Sequence, residues 1–311
     1  MAERIAFLML VHGDPDLTVR VCQRLAPHAV FIHVDAKAVD YPISRIAQLD
    51  RVTVVPTREA VFWASYPMVT AILALMQAAI DTGERFSKYV VLSGACYPVK
   101  PISSLERLFA NDGNAEYIQL VPVSDTSFLR IMTSRHWHMV PFLPWRFLAR
   151  HPGIANVDKF AGRIYNKLSS FFPRRIEDEI NGLQSYFGSQ WWGLSEACVR
   201  YVLDVLHTKP EFRKAYLSVY CPDEQLLHTI IGNSQFGERT VGNHDDLGQD
   251  SLYDAPLHVI YPTPKRLFGN EPQDFALVRE TPKFFMRKVA SDINAELLAR
   301  VDAELLDIVR E

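Results

Sequence analysis

Two adjacent carboxylates, Asp223 and Glu224, stand in the run Tyr220-Cys221-Pro222-Asp223-Glu224-Gln225-Leu226-Leu227-His228. Pro222 disfavours a helix through Cys221 and suits a first helical turn, so both acids sit at the start of the helix spelled by residues 225–231. Two roles are open there. A carboxylate in a first turn is stabilised by the helix dipole, which by itself explains an acid at this place. At the edge of a cleft, Glu224 can instead take the proton of a substrate hydroxyl. Upstream lies Gly188-Ser189-Gln190-Trp191-Trp192-Gly193-Leu194-Ser195, read as a strand over 189–194 that feeds a helix over 196–208 capped by Ser195. Neighbouring tryptophans on a strand point to opposite faces, so of Trp191 and Trp192 one suits the core and the other a cleft. A flat indole there fits the apolar face of a sugar.

The elements that must position these residues begin with a strand over 5–11, its exit His12-Gly13-Asp14-Pro15, a helix over 16–25 and a strand over 29–34 ending at Asp35. This alternation predicts a parallel sheet, whose ligands bind outside the carboxyl ends of the strands. His12 and Asp35 fall there, although Asp35 also suits a turn. A third strand is read at 52–55. Phe62-Trp63-Ala64-Ser65-Tyr66-Pro67 then opens a helix to 81, with Ser65 as its cap and Pro67 in its first turn. A fourth strand at 89–92 exits through Ser93-Gly94-Ala95-Cys96-Tyr97-Pro98, and a fifth is read at 116–120. Residues 232–249 read as loops, the prolines of 261–266 forbid a continuous helix, and 291–311 carry apolar side chains at helical spacing.

At 311 residues, 48% of them hydrophobic, the chain can bury one large core or two modest ones. A net charge of −3 and the lack of an arginine-rich or RNA-reading motif argue against a nucleic-acid partner. The apolar run before His12 is too short to span a bilayer, and no small-residue cleavage site follows, so it is read as a buried strand. Cys22, Cys96, Cys198 and Cys221 are scattered without a CxxC pair and read as reduced, buried side chains. Asp14-Pro15-Asp16 spells a metal-binding pattern, but its plain reading is a polar turn. His136 and His138 lack a third ligand nearby. No metal site and no cofactor are expected. The absence of GxGxxG after the first strand disfavours a nucleotide-binding oxidoreductase.

Residues 146–175 hold seven Lys or Arg against one acid, interleaved with aromatics. Such a stretch can lie against an anionic membrane or hold an acidic glycan; its plain reading is a solvated insertion that packs its aromatics on the core.

Taken in order, His33-Val34-Asp35-Ala36-Lys37, Leu92-Ser93-Gly94-Ala95-Cys96-Tyr97-Pro98-Val99-Lys100, Gly188-Ser189-Gln190-Trp191-Trp192 and Cys221-Pro222-Asp223-Glu224 resemble the core-2/I-branching β-1,6-N-acetylglucosaminyltransferase family, which includes the peptide xylosyltransferases. The resemblance runs from about Ile5 to Asp292. It implies a GT-A-like, Rossmann-type α/β fold with a mixed, mostly parallel sheet flanked by helices. On this reading 1–311 form one domain: a nucleotide-sugar half to about 120, an acceptor and catalytic half beyond it, and a helical or loop insertion at about 141–180. The resemblance further implies a UDP-sugar donor, N-acetylglucosamine foremost and xylose or another sugar as the alternative, and a glycan or glycolipid acceptor. Val11, His12 and Asp35 would line the uridine pocket, with Trp63, Ser93 and Gly94 also on the donor. Arg287 and Lys288, in the segment Phe284-Phe285-Met286-Arg287-Lys288, would bind the diphosphate. Lys288 is the closer match, adjacent residues are not expected to share a face, and Lys265 or Arg266 offers a second cation. Arg135, Trp137, Trp191 and Trp192 would meet the acceptor.

The implied reaction is inverting and metal-independent, with Glu224 as base. The implied location is cytoplasmic, peripheral to the inner membrane of a bacterium. One departure stands out: Cys96 replaces an aspartate carried by many relatives near the donor sugar, which leaves open both the choice of donor and a sugar-binding module without catalysis.

Overall fold

A computed structural model of the chain describes residues 4–124, 129–241, 255–260 and 267–307. Its centre is a five-stranded sheet in the order β3-β2-β1-β4-β8. The strands are β1 (Arg4–Val11), β2 (Ala29–Val34), β3 (Val52–Val54), β4 (Phe86–Ser93) and β8 (Gly193–Leu194). The first four run parallel, and β8 closes the edge antiparallel to β4 through Tyr89 and Val90. From Ile5 onward β1 is apolar and buried throughout, as a central parallel strand covered on both faces requires. Helices α1 (Pro15–Leu25), α2 (Ile43–Ala47), α3 (Tyr66–Asp81) and α4 (Ile102–Asn111) connect these strands or follow β4. The α/β arrangement is the one expected.

A three-stranded sheet, β5-β10-β9, lies at the exit of β4. In it β10 (Phe285–Arg287) runs antiparallel to β5 (Cys96–Pro98) and parallel to β9 (His258–Ile260). Arg287 thereby stands opposite Cys96, almost two hundred positions away in the chain. The strands β6 (Val121–Pro122) and β7 (Tyr186–Phe187) pair antiparallel. The remaining helices are α5 (Arg130–Thr133), α6 (Trp145–Arg150), α7 (Pro152–Ser169), α8 (Ile176–Glu179), α9 (Glu196–Thr208), α10 (Pro210–Tyr216), α11 (Leu226–Gly232), α12 (Pro272–Glu280) and α13 (Ala295–Val301).

Several elements differ from their sequence reading. Residues 116–120 form single bridges at Glu116 and Tyr117 instead of a strand. The Glu116 carboxylate is drawn to the start of α9, where it accepts from Ser195 N at 2.7 Å and Ser195 Oγ at 2.5 Å. Only the last two residues of 189–194 are strand, because the backbone bends at Gln190. The terminal helix is short: α13 gives way to a wider turn, Asp302–Leu306, where Asp302 is held by Arg20 and Tyr97. Ser65 does stand at the start of α3, yet its hydroxyl donates to Phe62 O at 2.5 Å and makes no cap bond. The insertion does not pack its aromatics on the core, since Phe160, Phe171 and Phe172 are 61%, 71% and 73% exposed. All four cysteines are free and buried.

Candidate active site

A cleft of about 380 Å³ opens at the carboxyl ends of β1, β2 and β4. Its walls include Val11 and His12 at the end of β1, His33 and Asp35 at the end of β2, Ser93 and Gly94 at the end of β4, and Arg287 and Lys288 at the end of β10. Backbone bonds fuse the three strand ends: Asp35 N donates to Val11 O at 2.8 Å and Gly94 N to Leu10 O at 2.9 Å. Gly94 suits this place because a Cβ there would press on Val11 at 3.2 Å. Residues far apart in the sequence reading, 11–12, 35, 93–94 and 287–288, thus share one wall.

Asp35 is both a cleft residue and a turn former. Its carboxylate accepts from Lys37 N at 2.8 Å and pairs with Lys37 Nζ at 2.7 Å. The loop behind it is tied down by Arg58, which donates to the carbonyls of Val34, Asp35 and Ala38. His33, which the sequence reading quoted without a role, accepts from Glu59 N at 2.8 Å, and burial lowers its pKa to about 4. It stays neutral and fixes the loop.

The cationic side of the cleft is built by β10. Arg287 lies over the face of Trp191 at 4.1 Å and donates to Ser93 Oγ. Cys96 is fully buried behind them and does not line the cleft, its Sγ accepting from Ser93 N at 3.3 Å. Burial lowers the pKa of Arg287, while Lys288 is lowered by burial first and by the Arg287 charge second. Neither cation pairs with a carboxylate among the described residues. Two half-buried positive charges side by side raise each other's energy, and an anion entering the cleft relieves both. Adjacency was expected to turn them apart; instead both line the cleft. Lys265 and Arg266 lie outside the described residues.

Glu224 belongs to the tight turn Pro222–Glu224, entered through Cys221 in the left-handed region at φ 51°. The turn is bonded to segments that supply both cleft walls. Cys221 N donates to Ala64 O at 3.2 Å, between Val61 and Met68, and Gly188 N donates to Glu224 O at 2.9 Å, just before Gln190 and Trp191. Glu224 itself is half-buried and is not among the residues lining the cleft. Burial, and then the neighbouring Asp223 charge, raise its pKa to about 8. Asp223 is also raised by burial, and its Oδ1 has no hydrogen-bond partner. A raised carboxyl beside a cleft is the electrostatic condition of a general base or acid near neutral pH.

Gly188 holds this turn in place. A Cβ there would overlap Gln119 O and approach His228 Cδ2 at 2.6 Å. Gly188→Ala is expected to destabilise the protein by about 3 kcal/mol, the upper range for overpacking because backbone must move. Chemical denaturation of the purified variant measures it.

The aromatic residues divide differently from the sequence reading. Trp191 lines the cleft, whereas Trp192 is fully buried and cannot meet an acceptor. The bend at Gln190 and the bond from Val91 N to Trp192 O at 3.0 Å turn its side chain into the core. Trp63 is not on the donor wall: Ala64, at φ 58°, turns the chain so that the indole stands 71% exposed, edge-on to Tyr220 with ring centres 5.4 Å apart. Tyr220 also meets Trp137 at 5.0 Å, and Arg135 lies over Trp137 at 4.0 Å. Trp63, Tyr220, Trp137 and Arg135 therefore form one row, exposed at Trp63 and half-buried at the other three, in which Tyr220 stands four residues before Glu224. Tyr220, inside the quoted run, was given no role, and no local sequence signal marks it, since its partners Trp63 and Trp137 lie far away in the chain.

Asp14, His136 and His138, from the metal-like spellings, have partners within the protein. Asp14, itself at φ 49°, accepts from Leu17 N at 3.0 Å to cap α1 and from Ser291 N at 2.7 Å. His136 bonds Ser218 Oγ at 2.7 Å, and His138 stacks on Phe142 at 3.7 Å.

Comparisons with known proteins identify the family. Xylosyltransferase 2 of Rattus norvegicus is 24% identical over 326 residues, covering 97% of this chain and 34% of that protein. Xylosyltransferase 1 of Homo sapiens is 24% identical over 322 residues, covering 96% of this chain and 30% of that protein. The chain spans about a third of the length of these curated relatives. The sequence model of the core-2/I-branching enzyme matches residues 5–247, including the β1, β2 and β4 ends, the Gly188 loop and the Glu224 turn. The chain belongs to the core-2/I-branching enzyme family, a family of glycosyltransferases.

Proposed function

We propose that the protein transfers a sugar from a UDP-sugar to a hydroxyl of a glycan or glycolipid acceptor, with inversion at the anomeric carbon. Glu224 takes the hydroxyl proton. The acceptor oxygen forms a bond to the anomeric carbon from one face, while the bond to the diphosphate oxygen breaks on the other and UDP departs with the electron pair. The observation that carries this reading is the pair Arg287 and Lys288 on the cleft wall, unmatched by any described carboxylate. Fixed cations there stabilise charge where it develops on the leaving diphosphate, the task a divalent ion performs in many nucleotide-sugar enzymes.

The donor is read as UDP-N-acetylglucosamine. Xylose is the second reading, favoured by the names of the relatives. A thermal-shift panel of UDP-sugars followed by transfer assays separates the two. Transfer is expected to proceed undiminished in EDTA; a loss that Mn²⁺ restores would instead assign the leaving-group role to a metal.

A further inference from the structure

We infer that α6 and α7 form a surface that binds the headgroup region of an anionic lipid bilayer. Along α7 the side chains of Ile154, Val157, Phe160, Ile164 and Leu168 share one side of the helix, and each is between 39% and 66% exposed. Phe171 and Phe172 continue this side beyond its end. Of the nineteen large apolar side chains exposed among the described residues, twelve fall between positions 140 and 172, so the exposed apolar surface is concentrated on this insertion.

The opposite side of α7 is the one attached to the protein. Asp158 accepts from Phe142 N at 3.3 Å and Leu143 N at 3.1 Å, and Asn166 exchanges bonds with His138 N at 2.7 Å and His138 O at 3.1 Å. The apolar side is therefore left without a partner by the helix's own docking.

Charge selects the occupant. Lys159, Arg163 and Lys167 recur every four residues as a stripe bordering the apolar side, and α6 adds Arg146 and Arg150. The sole acid in this stretch, Asp158, is taken by backbone amides. Two copies packed through this face would bring like charges together, whereas anionic headgroups neutralise them while the apolar side chains enter the acyl boundary. No described helix is long and apolar enough to cross a membrane. The contact is thus one that lies along the surface.

Co-sedimentation of the full chain with vesicles tests this. The protein is expected to pellet with vesicles of phosphatidylcholine and phosphatidylglycerol, less so in high salt, and to stay in solution with phosphatidylcholine alone. The triple variant Lys159→Gln, Arg163→Gln, Lys167→Gln is expected to lose roughly 100-fold in partition onto the anionic vesicles. A second variant, Phe160→Ser with Phe171→Ser, is expected to lose binding at every salt concentration. Both should keep the melting temperature and the activity on a soluble acceptor, which separates this proposal from the fate of the catalytic reading. Absence of wild-type binding, or binding that both variants retain, would overturn it. So would a dimer, detected by light scattering, that the same substitutions disperse, since that outcome assigns the face to a second copy.

Discussion

Glu224→Gln is expected to lower the rate of sugar transfer by roughly 10²- to 10⁴-fold while leaving UDP-sugar affinity nearly unchanged. Glutamine keeps the shape and removes the ability to accept a proton, so the loss falls on the turnover number. A second signature accompanies it. The Glu224 carboxyl is raised from a usual value of 4.5 to about 8, first by burial and then by Asp223. The folded state therefore holds this proton more tightly than the unfolded chain does. Its penalty to stability is absent below the usual carboxylate range, grows as pH rises through that range, and is complete above about 8. The variant should match the wild type in acid and exceed it at alkaline pH by about 2 kcal/mol, a figure reduced for the half-exposed side chain. Wild-type transfer should in turn fall as pH drops through the raised value, since the base must be ionised. Melting curves against pH and a pH–rate profile measure the two effects. Equal stability at all pH values, together with unaltered turnover, would remove Glu224 from the role.

Arg287→Met is the second large effect. It keeps the aliphatic stem and deletes the guanidinium that lies over Trp191, and with it the charge. The fixed charge counts most when the diphosphate is leaving, so the turnover number is expected to fall by roughly 10²- to 10³-fold and donor affinity by less. Lys288→Met should show the same pattern more weakly, because an ammonium contributes a point charge without a planar fork. Comparing turnover with donor affinity for both variants distinguishes leaving-group stabilisation from simple binding, which would weaken affinity alone. If Arg287→Met transferred sugar at the wild-type rate, the leaving charge must be met elsewhere.

The division between what the sequence disclosed and what it hid follows physical lines. The strand ends were legible because a buried parallel strand must be continuously apolar and its first polar residues mark the exit, as at His12 and Asp35. Local spacing also separated Trp191 from Trp192, though not which of them turned inward. The family resemblance put Arg287, Lys288 and Ser93 on one donor, but the pairing that joins them was hidden, because a β10-to-β5 contact across almost two hundred residues leaves no local periodicity. Trp63 was misplaced for a related reason. Its direction is fixed by positive φ at Ala64, a residue that rarely adopts it, and by the bond from Cys221 N to Ala64 O. Residues 116–120 looked like a strand from their composition, but the buried ion-dipole clamp of Glu116 on Ser195 competes with sheet pairing. The exposure of the α7 aromatics reversed the expectation that large apolar groups in an insertion fold back onto the core.

The geometry also accounts for the burial of two adjacent acids in one turn. Asp223 and Glu224 are held by backbone bonds from Gly188 and through Cys221, and neither carboxylate forms an ion pair with a described cation. Such a pair costs stability, and under the proposed function chemistry near neutral pH is what it would supply in return.

A crystal structure with the intact UDP-sugar and an inert acceptor tests the central claim most directly. The account predicts the diphosphate within hydrogen-bonding distance of Arg287 and Lys288, the uracil near Val11 and Asp35, and the Glu224 carboxylate on the acceptor hydroxyl across the anomeric carbon. A nucleotide bound away from the carboxyl ends of β1, β2 and β4, or a Glu224 side chain facing away from the acceptor oxygen, would contradict it.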